Sequence, residues 1–158
     1  MRPNVGLSDD QRSGVAEILR KTLADVCVIA IKTRNYHWNV EGPHFPHLHE
    51  FFGKQYDQLN AKIDEIAEFI RYFGYPAPGS MAAMLDRTRL LEETDERVNS
   101  ELMVKTLLYD HEALIRSLRE DIETAQDKFG AVDVADFLTG LLEEHEKTAW
   151  FLRSTSEY

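Results

Sequence analysis

The chain has 158 residues, enough for one domain with a sizeable buried core. Its 28 acidic and 18 basic residues give a formal net charge of −10 at pH 7. Such a charge argues against a protein that binds nucleic acid through charge alone, and it suits one that attracts cations. We therefore expect a single domain over residues 1–158, in which residues 1–7 form a short N-terminal tail.

Cysteine content and hydropathy indicate the compartment. The only cysteine, Cys27, lies in an apolar stretch, so an intramolecular disulfide is excluded and a buried, unreactive thiol is expected. The N-terminus lacks the basic start and apolar run of a signal peptide, and no stretch of about eighteen apolar residues occurs. These observations predict a soluble, cytoplasmic protein that does not contact the membrane.

The first half of the chain has the periodicity of two long helices. Ser8 is a suitable N-cap, and apolar residues recur at intervals of three and four from there to about Asn39. Gly42 and the proline after it break this helix, and the next helix runs from about Leu48 to the turn at 74–79. The two helices are predicted to form a hairpin. The apolar positions of the first helix are Val15, Leu19, Leu23, Val26 and Ala30.

The second half repeats this pattern after a long connection. Residues 80–97 contain a short amphipathic helix and a charged stretch. A third long helix is predicted from about Ser100 to Asp127, and a fourth from about Val132 to Arg153. The period-two alternation of a β-strand is missing over any useful length. Four long helices with a short helix in the middle connection predict an all-α, ferritin-like four-helix bundle.

Two histidines and two carboxylates form the most informative set of side chains. His37 ends the first predicted helix, His49 opens the second, and Asp64 and Glu68 lie on one face further along the second. At about 1.5 Å per residue, roughly 22–28 Å separate His49 from the carboxylates, too far for one metal site. A twofold axis between antiparallel helices would bring the histidine end of one subunit beside the carboxylate end of another. Mixed nitrogen and oxygen ligands suit iron, manganese or zinc.

Simpler explanations exist for each of these residues. Histidines near helix ends often cap carbonyl groups, and acidic residues four apart often form only a solvated face. Lys62 and Arg71 are alternative ion-pair partners for the two carboxylates. Two neighbouring histidines, His44 and His47, are interpreted as loop residues.

The same segments resemble those of a known family. The resemblance lies in residues 36–43 (YHWNVEGP), 48–52 (LHEFF), 64–68 (DEIAE) and 144–154 (EHEKTAWFLRS). These segments closely resemble those of the Dps miniferritins, the DNA-binding proteins from starved cells, and the resemblance covers nearly the whole chain. It implies a homo-oligomeric, dodecameric hollow shell. Such a shell oxidises ferrous iron with hydrogen peroxide or dioxygen at intersubunit dinuclear centres and stores the ferric product inside.

Carried over to this sequence, the resemblance assigns the ligands. His37 and His49 would come from one subunit, and Asp64 and Glu68 from its twofold partner. The two carboxylates would hold the tighter iron, and His49 would belong to the looser one. All four are expected to be metal ligands and catalytic residues of a ferroxidase that protects against oxidative stress. Trp38 is expected to pack on the centre and quench oxidising species.

One position departs from the family pattern. The family usually has an acidic residue four positions after the second histidine, where this chain has Gly53. Glycine offers no ligand and weakens a helix interior by about 1 kcal/mol relative to alanine. Asp57, or a water held by Glu50 or His47, is a candidate substitute. The rival interpretation is a non-catalytic scaffold or metal-buffering shell whose centre is impaired by Gly53.

An acidic pore is a second family feature that this chain matches only in part. Acidic residues surround the start of the last predicted helix, where the family builds a threefold pore that admits iron. Acids at a helix start also stabilise the helix dipole without any further role. Only Asp136 matches the family well among Asp127, Asp133 and Asp136.

The ends of the chain bear on DNA binding. The family binds DNA through lysine-rich tails that pair with phosphates. This chain has Arg2 and Arg12 at one end, and Arg153 followed by Glu157 at the other. These ends are short and poor in positive charge. Weak or absent DNA binding is therefore predicted at physiological salt, and DNA compaction is the least favoured function.

Overall fold

Residues 2–156 are described by a computed structural model, and within them the structure is all-α. The predicted fold class, a ferritin-like bundle with a short helix in its middle connection, is confirmed. Met1, Glu157 and Tyr158 lie outside the described residues, and so does the predicted role of Glu157 in the C-terminal charge. The helices are α1 (Asp9–Asn39), α2 (Phe45–Tyr72), α3 (Met81–Arg87), α4 (Ser100–Glu123) and α5 (Val132–Ser156), with a π-helical segment at Thr124–Lys128.

The hairpin of α1 and α2 follows the predicted start signals. Ser8 accepts a hydrogen bond from the backbone N–H of Gln11, and the Gln11 side chain accepts one from the backbone N–H of Ser8. Proline in the first turn of α2 needs no N–H partner, so the helix begins at Phe45, before the predicted Leu48. His47 is therefore helical, and its interpretation as a loop residue was wrong.

The buried core confirms the apolar periodicity of the first helix. Its five predicted positions are all at most 2% exposed (Val15, Leu19, Leu23, Val26 and Ala30). Cys27 is also buried, as predicted, and burial raises the pKa of its thiol to about 11. α1 packs along α2, and α4 packs along α5, so the bundle consists of two helical hairpins.

Buried charges tie the middle connection to the two hairpins. The Asp25 carboxylate on α1 accepts hydrogen bonds from Thr88 Oγ1 (2.9 Å), Arg89 N (2.6 Å) and Arg89 Nε (2.8 Å). Arg89 also donates to Asp121 on α4 over 2.8 Å. Because Asp25 is only 1% exposed, these bonds satisfy a charge that would be costly to bury alone. They fix the end of α3 between the hairpins.

The predicted third helix continues to residue 128, but its last turn is π-helical. This turn leads to Phe129, whose ring packs against Gly14 on α1. A Cβ atom at Gly14 would lie 2.2 Å from the ring carbon Cζ, so only glycine allows this contact. Gly130, with a φ of 64°, then reverses the chain before α5.

The N-terminal segment is held against the bundle. Arg2 forms an ion pair with Asp9, and Pro3 approaches Gly74 so closely that a Cβ atom there would lie 2.8 Å from Pro3 Cγ. Arg12 Nη1 donates to the carbonyl of Phe73 over 2.8 Å. Both arginines near this end are therefore engaged with the fold. Among residues 2–156, no helix has the length and apolar character needed to cross a membrane.

Candidate metal centre

The turn between α1 and α2 brings two predicted ligands, His37 and His49, into direct contact. Their rings stack with centroids 3.8 Å apart and an interplanar angle of 22°. His37 Nδ1 lies 2.7 Å from the carbonyl oxygen of His49, and His49 Nδ1 lies 2.8 Å from the carbonyl oxygen of His37. The two residues thus bind each other's backbone reciprocally.

This reciprocal bonding sets the chemistry of both rings. A carbonyl oxygen only accepts, so each Nδ1 must carry a proton and donate it. In a neutral imidazole the other nitrogen, Nε2, then keeps its lone pair. Histidine ligands in metal sites commonly donate their second ring N–H to a backbone carbonyl, which orients the ring and raises its basicity. The geometry of His37 and His49 is therefore compatible with metal binding, and both residues are partly accessible.

Aromatic neighbours hold the two rings in place. The ring of Tyr56 meets His37 edge-on with centroids 5.3 Å apart, and the guanidinium carbon of Arg34 lies 5.0 Å from the Tyr56 centroid. The ring of Phe45 lies 5.1 Å from that of His49. The imidazoles are thus supported by side chains from both helices, as a preorganised ligand pair requires.

The two predicted carboxylates stand apart from the histidines. Asp64 and Glu68 are exposed on α2, and within residues 2–156 neither has a hydrogen bond or ion pair. Lys62 instead pairs with Glu65 (3.0 Å) and with a glutamate of α5 (3.1 Å), and Arg71 donates to a backbone carbonyl over 2.9 Å. The alternative partners are therefore engaged elsewhere. Two like charges four residues apart repel each other and favour a cation between them.

One chain brings together only half of the predicted ligand set. Within the described part of the chain, no group of three or more histidine, cysteine or acidic side chains is placed to hold a metal ion. The helical rise puts the carboxylates roughly 22–28 Å from His49. The assignment of His37, His49, Asp64 and Glu68 to one shared centre therefore stays a prediction that needs a second subunit.

Three further predicted features lie at the surface. Trp38 is 69% exposed and makes no ring contact among the described residues, so any packing on the centre would involve a neighbouring subunit. Asp136 is exposed on α5, and the pore stays a prediction. Of the candidate substitutes at the second iron position, Asp57 is exposed, whereas the Glu50 carboxylate is bound by Lys54 over 2.5 Å.

A second pair of histidines in contact was not predicted from the sequence. His111 on α4 and His145 on α5 approach with their Nδ1 atoms 2.7 Å apart, and they are 2% and 3% exposed. Burial lowers the pKa of both imidazoles, that of His145 to about 4. The pair lines, with residues of α2, a cleft of about 660 Å³. Its signal was a histidine on the apolar stripe of each of the last two long helices.

Comparison with known proteins agrees with the fold. The ferritin-like domain family matches residues 16–157. The chain is 44% identical over 156 residues to an uncharacterized low temperature-induced protein of Nostoc sp., an alignment that covers 99% of this chain and 87% of that protein. It is 36% identical over 140 residues to DNA protection during starvation protein 2 of Bacillus anthracis, with 89% and 94% covered.

A solved structure gives the same result. The Dps protein of Vibrio cholerae, described as a member of a broad superfamily of ferritin-like diiron-carboxylate proteins, matches with a TM-score of 0.89 and 29% identity. The match covers 98% of this chain and 96% of that one. The chain therefore belongs to the ferritin-like proteins, and within them to the Dps miniferritins. Membership in this family supports a general role in iron storage.

Proposed function

We propose that this protein is a ferroxidase that oxidises Fe(II), with hydrogen peroxide as the expected oxidant and dioxygen as the alternative, and stores Fe(III) inside a dodecameric shell. The centre would lie at a twofold interface, with His37 and His49 from one subunit and Asp64 and Glu68 from its partner. The observation that carries the proposal is the reciprocal hydrogen bonding of the two histidines, which leaves both Nε2 atoms free to bind a metal. The shell would protect against oxidative stress by removing both reactants.

Exposed apolar side chains beside the histidines support a contact with a second subunit. Trp38 is 69% exposed and Phe45 is 42% exposed, and both lie at the turn that carries the proposed ligands. Neighbouring exposed apolar residues on a soluble protein commonly mark an interface. A second copy placed there would also bring its own Asp64 and Glu68 towards a cation bound by His37 and His49. In the described chain these two carboxylates have no partner.

In the proposed reaction, the side chains of the shared centre bind ferrous iron and compensate its charge. The carboxylates of Asp64 and Glu68 compensate the charge of the bound ferrous ion, and the imidazole Nε2 atoms complete its ligands. Two ferrous ions each lose one electron. The O–O bond of peroxide breaks, and its oxygens take up two protons to leave as water. His37 and His49 would bind the iron through Nε2, because each Nδ1 donates to a backbone carbonyl.

A cytoplasmic location is part of this proposal. The chain has one cysteine, which is free and buried, as in proteins of a reducing compartment. DNA compaction is disfavoured, because Arg2 and Arg12 are engaged with the bundle. Gly53 favours the second candidate, a non-catalytic scaffold or metal-buffering shell, since it supplies no ligand beside His49.

Iron-oxidation kinetics test the proposal and separate the two candidates. Replacing His37 and Asp64 together with alanine should abolish peroxide-dependent formation of ferric product, measured by absorbance. His44→Ala is the matched control, because His44 is exposed at the start of α2 and is assigned no ligand role. Equal rates in the native protein and the double variant would refute the ferroxidase. Native protein that binds Fe(II) without oxidising it would support the metal buffer.

A further inference from the structure

Glycine at position 53 is explained by the space that the neighbouring His37 ring needs, and not by the backbone conformation. Gly53 lies in the interior of α2, and its φ is not positive, so the helix does not require glycine there. A Cβ atom at this position would lie 3.1 Å from His37 Cε1 and 3.2 Å from His37 Nδ1. Such distances are shorter than ordinary contacts between carbon or nitrogen atoms. Glycine therefore leaves room for the His37 imidazole.

The ring that uses this space is held tightly. His37 is fixed by a hydrogen bond from Nδ1 to the His49 carbonyl and by stacking on the His49 ring at 3.8 Å. A side chain at position 53 would push against the same Nδ1 atom that makes the hydrogen bond. Gly53 is thus a positioning residue that acts on the centre through His37.

The absence of a side chain at Gly53 also sets the charge on this side of the centre. On the face of α2 that follows His49, Gly53 and Tyr56 carry no negative charge, and the exposed Asp57 lies two turns, about 12 Å, beyond His49. Glu50, which follows His49 in the chain, is bound to Lys54. The two imidazoles are neutral ligands. This subunit places no carboxylate one turn after His49, so the charge of the shared ion is compensated by the partner's Asp64 and the partner's Glu68.

Two carboxylates compensate the charge of one divalent ion. A second divalent ion placed a few ångströms away would add two uncompensated positive charges beside the first, a strongly unfavourable arrangement. We propose that Gly53 limits the centre to one divalent ion at equilibrium, because it leaves space for the His37 ring and supplies no third carboxylate. This inference rests on the proposed shared centre and adds its metal stoichiometry. A second ferrous ion then reaches the centre only during turnover.

Titration of the assembled protein with Co²⁺ under anaerobic conditions tests this inference. Co²⁺ stays divalent under these conditions, so binding is measured without oxidation of the metal. Its visible absorbance reports the ligands around it. At saturating Co²⁺ we expect one ion per centre in the native protein and two in Gly53→Asp, whose Cβ atom crowds His37 and weakens binding but whose carboxylate compensates the second ion. Gly53→Asn is the matched control, because it has the shape of aspartate without the charge, and it should hold one.

A second control tests the effect of position 53 on the His37 ring separately from charge. Gly53→Ala adds only the Cβ atom that crowds His37. It should keep one Co²⁺ per centre, with affinity lowered roughly 10–100-fold and a changed visible spectrum, as for the loss of an orienting contact to a ligand. An affinity and spectrum identical to those of the native protein would refute the positioning role of Gly53.

The outcomes separate this inference from the proposed function. Two Co²⁺ ions per centre in the native protein would overturn the inference while leaving the shared centre intact. So would a Gly53→Asp protein that assembles, as judged by native mass, and binds no more Co²⁺ than Gly53→Asn. If replacing Asp64 and Glu68 with alanine leaves Co²⁺ binding unchanged, the shared centre itself is refuted.

Discussion

The protein contains two pairs of histidines in contact, and they use their nitrogens differently. At the turn between α1 and α2, His37 and His49 each bind a backbone carbonyl and keep Nε2 available at a partly exposed site. Between α4 and α5, His111 and His145 bind each other through Nδ1 and are almost fully buried. In the buried pair, one Nδ1 must donate and the other accept.

The difference shows why ring contact alone does not identify a metal site. In the first pair the backbone holds the protons, so both rings present the same free nitrogen outward. In the second pair the rings satisfy each other inside an apolar core, where the neutral forms are favoured. The first pair is therefore suited to binding a cation, and the second to joining two helices.

The largest expected effect is on activity. Replacing His37 and His49 with alanine should lower the initial rate of peroxide-dependent iron oxidation by roughly 100-fold or more, because removal of even an outer partner of a ligand costs 10–100-fold. Replacing His111 and His145 with leucine should leave that rate within about twofold of native, since those rings face each other. Stopped-flow absorbance measures both. A greater loss of rate on replacing His111 and His145 than on replacing His37 and His49 would contradict this assignment of the two pairs.

The next largest effect is on stability in acid. Burial lowers the pKa of His145 to about 4 from a usual value of 6.5, and it also lowers the pKa of His111. The unfolded chain therefore binds more protons in this range, and stability falls with falling pH. The contribution of the pair should be complete above pH 6.5 and lost as the pH falls towards about 4. Urea unfolding at a series of pH values measures it.

The control for this pH dependence is the double leucine variant. Carboxylates also titrate in acid, so only the difference between native and variant reports on His111 and His145. That difference should appear between pH 6.5 and about 4. Parallel stability curves over this range would contradict a neutral buried pair.

A smaller effect is expected from breaking the buried pair on one side only. His145→Leu leaves the Nδ1 of His111 without its partner in the core, which should cost about 1–3 kcal/mol of unfolding free energy at pH 7.5. Replacing both histidines with leucine should cost less than the single change, because no polar group is then left unpaired. Denaturant unfolding measures both variants. A double variant that is less stable than the single one would be inconsistent with this explanation.

The smallest effect is expected on DNA. Arg12 is buried and bound to the Phe73 carbonyl, Arg2 forms an exposed ion pair with Asp9, and the net charge is −10, so the assembled protein should give no gel shift at about 0.15 M salt. Arg2→Ala should change nothing in this assay. A salt-dependent complex that Arg2→Ala weakens would show that the N-terminal segment leaves the bundle.

Much of the fold could be predicted from local patterns, because each pattern acts within one helix. The capping box at Ser8 and the apolar spacing from Val15 to Ala30 are local, and both appear as expected. The start of α2 was predicted at Leu48, three residues late, because Pro46 lies in the first turn of the helix, where its missing N–H needs no partner. The close contact of Gly14 with Phe129 joins residues over a hundred positions apart, and no local pattern reveals it.

The candidate site was predictable only in part for the same reason. The positions of His37 and His49 on either side of the turn between two helices suggested a pair, and the structure shows their rings stacked. That each ring donates to the other's carbonyl depends on the geometry of the turn, which spacing does not give. The His111 and His145 contact needs the relative rotation of α4 and α5, which the sequence does not specify.

Mixed assembly of two inactive variants tests the shared centre most directly. One variant lacks both histidines (His37→Ala, His49→Ala), and the other lacks both carboxylates (Asp64→Ala, Glu68→Ala). In a mixed twofold pair, one of the two centres regains both histidines and both carboxylates. Co-assembly in equal amounts should therefore restore about a quarter of the native iron-oxidation rate, since about half of random pairs are mixed. Mixed particles no more active than either parent would contradict a centre built from two subunits.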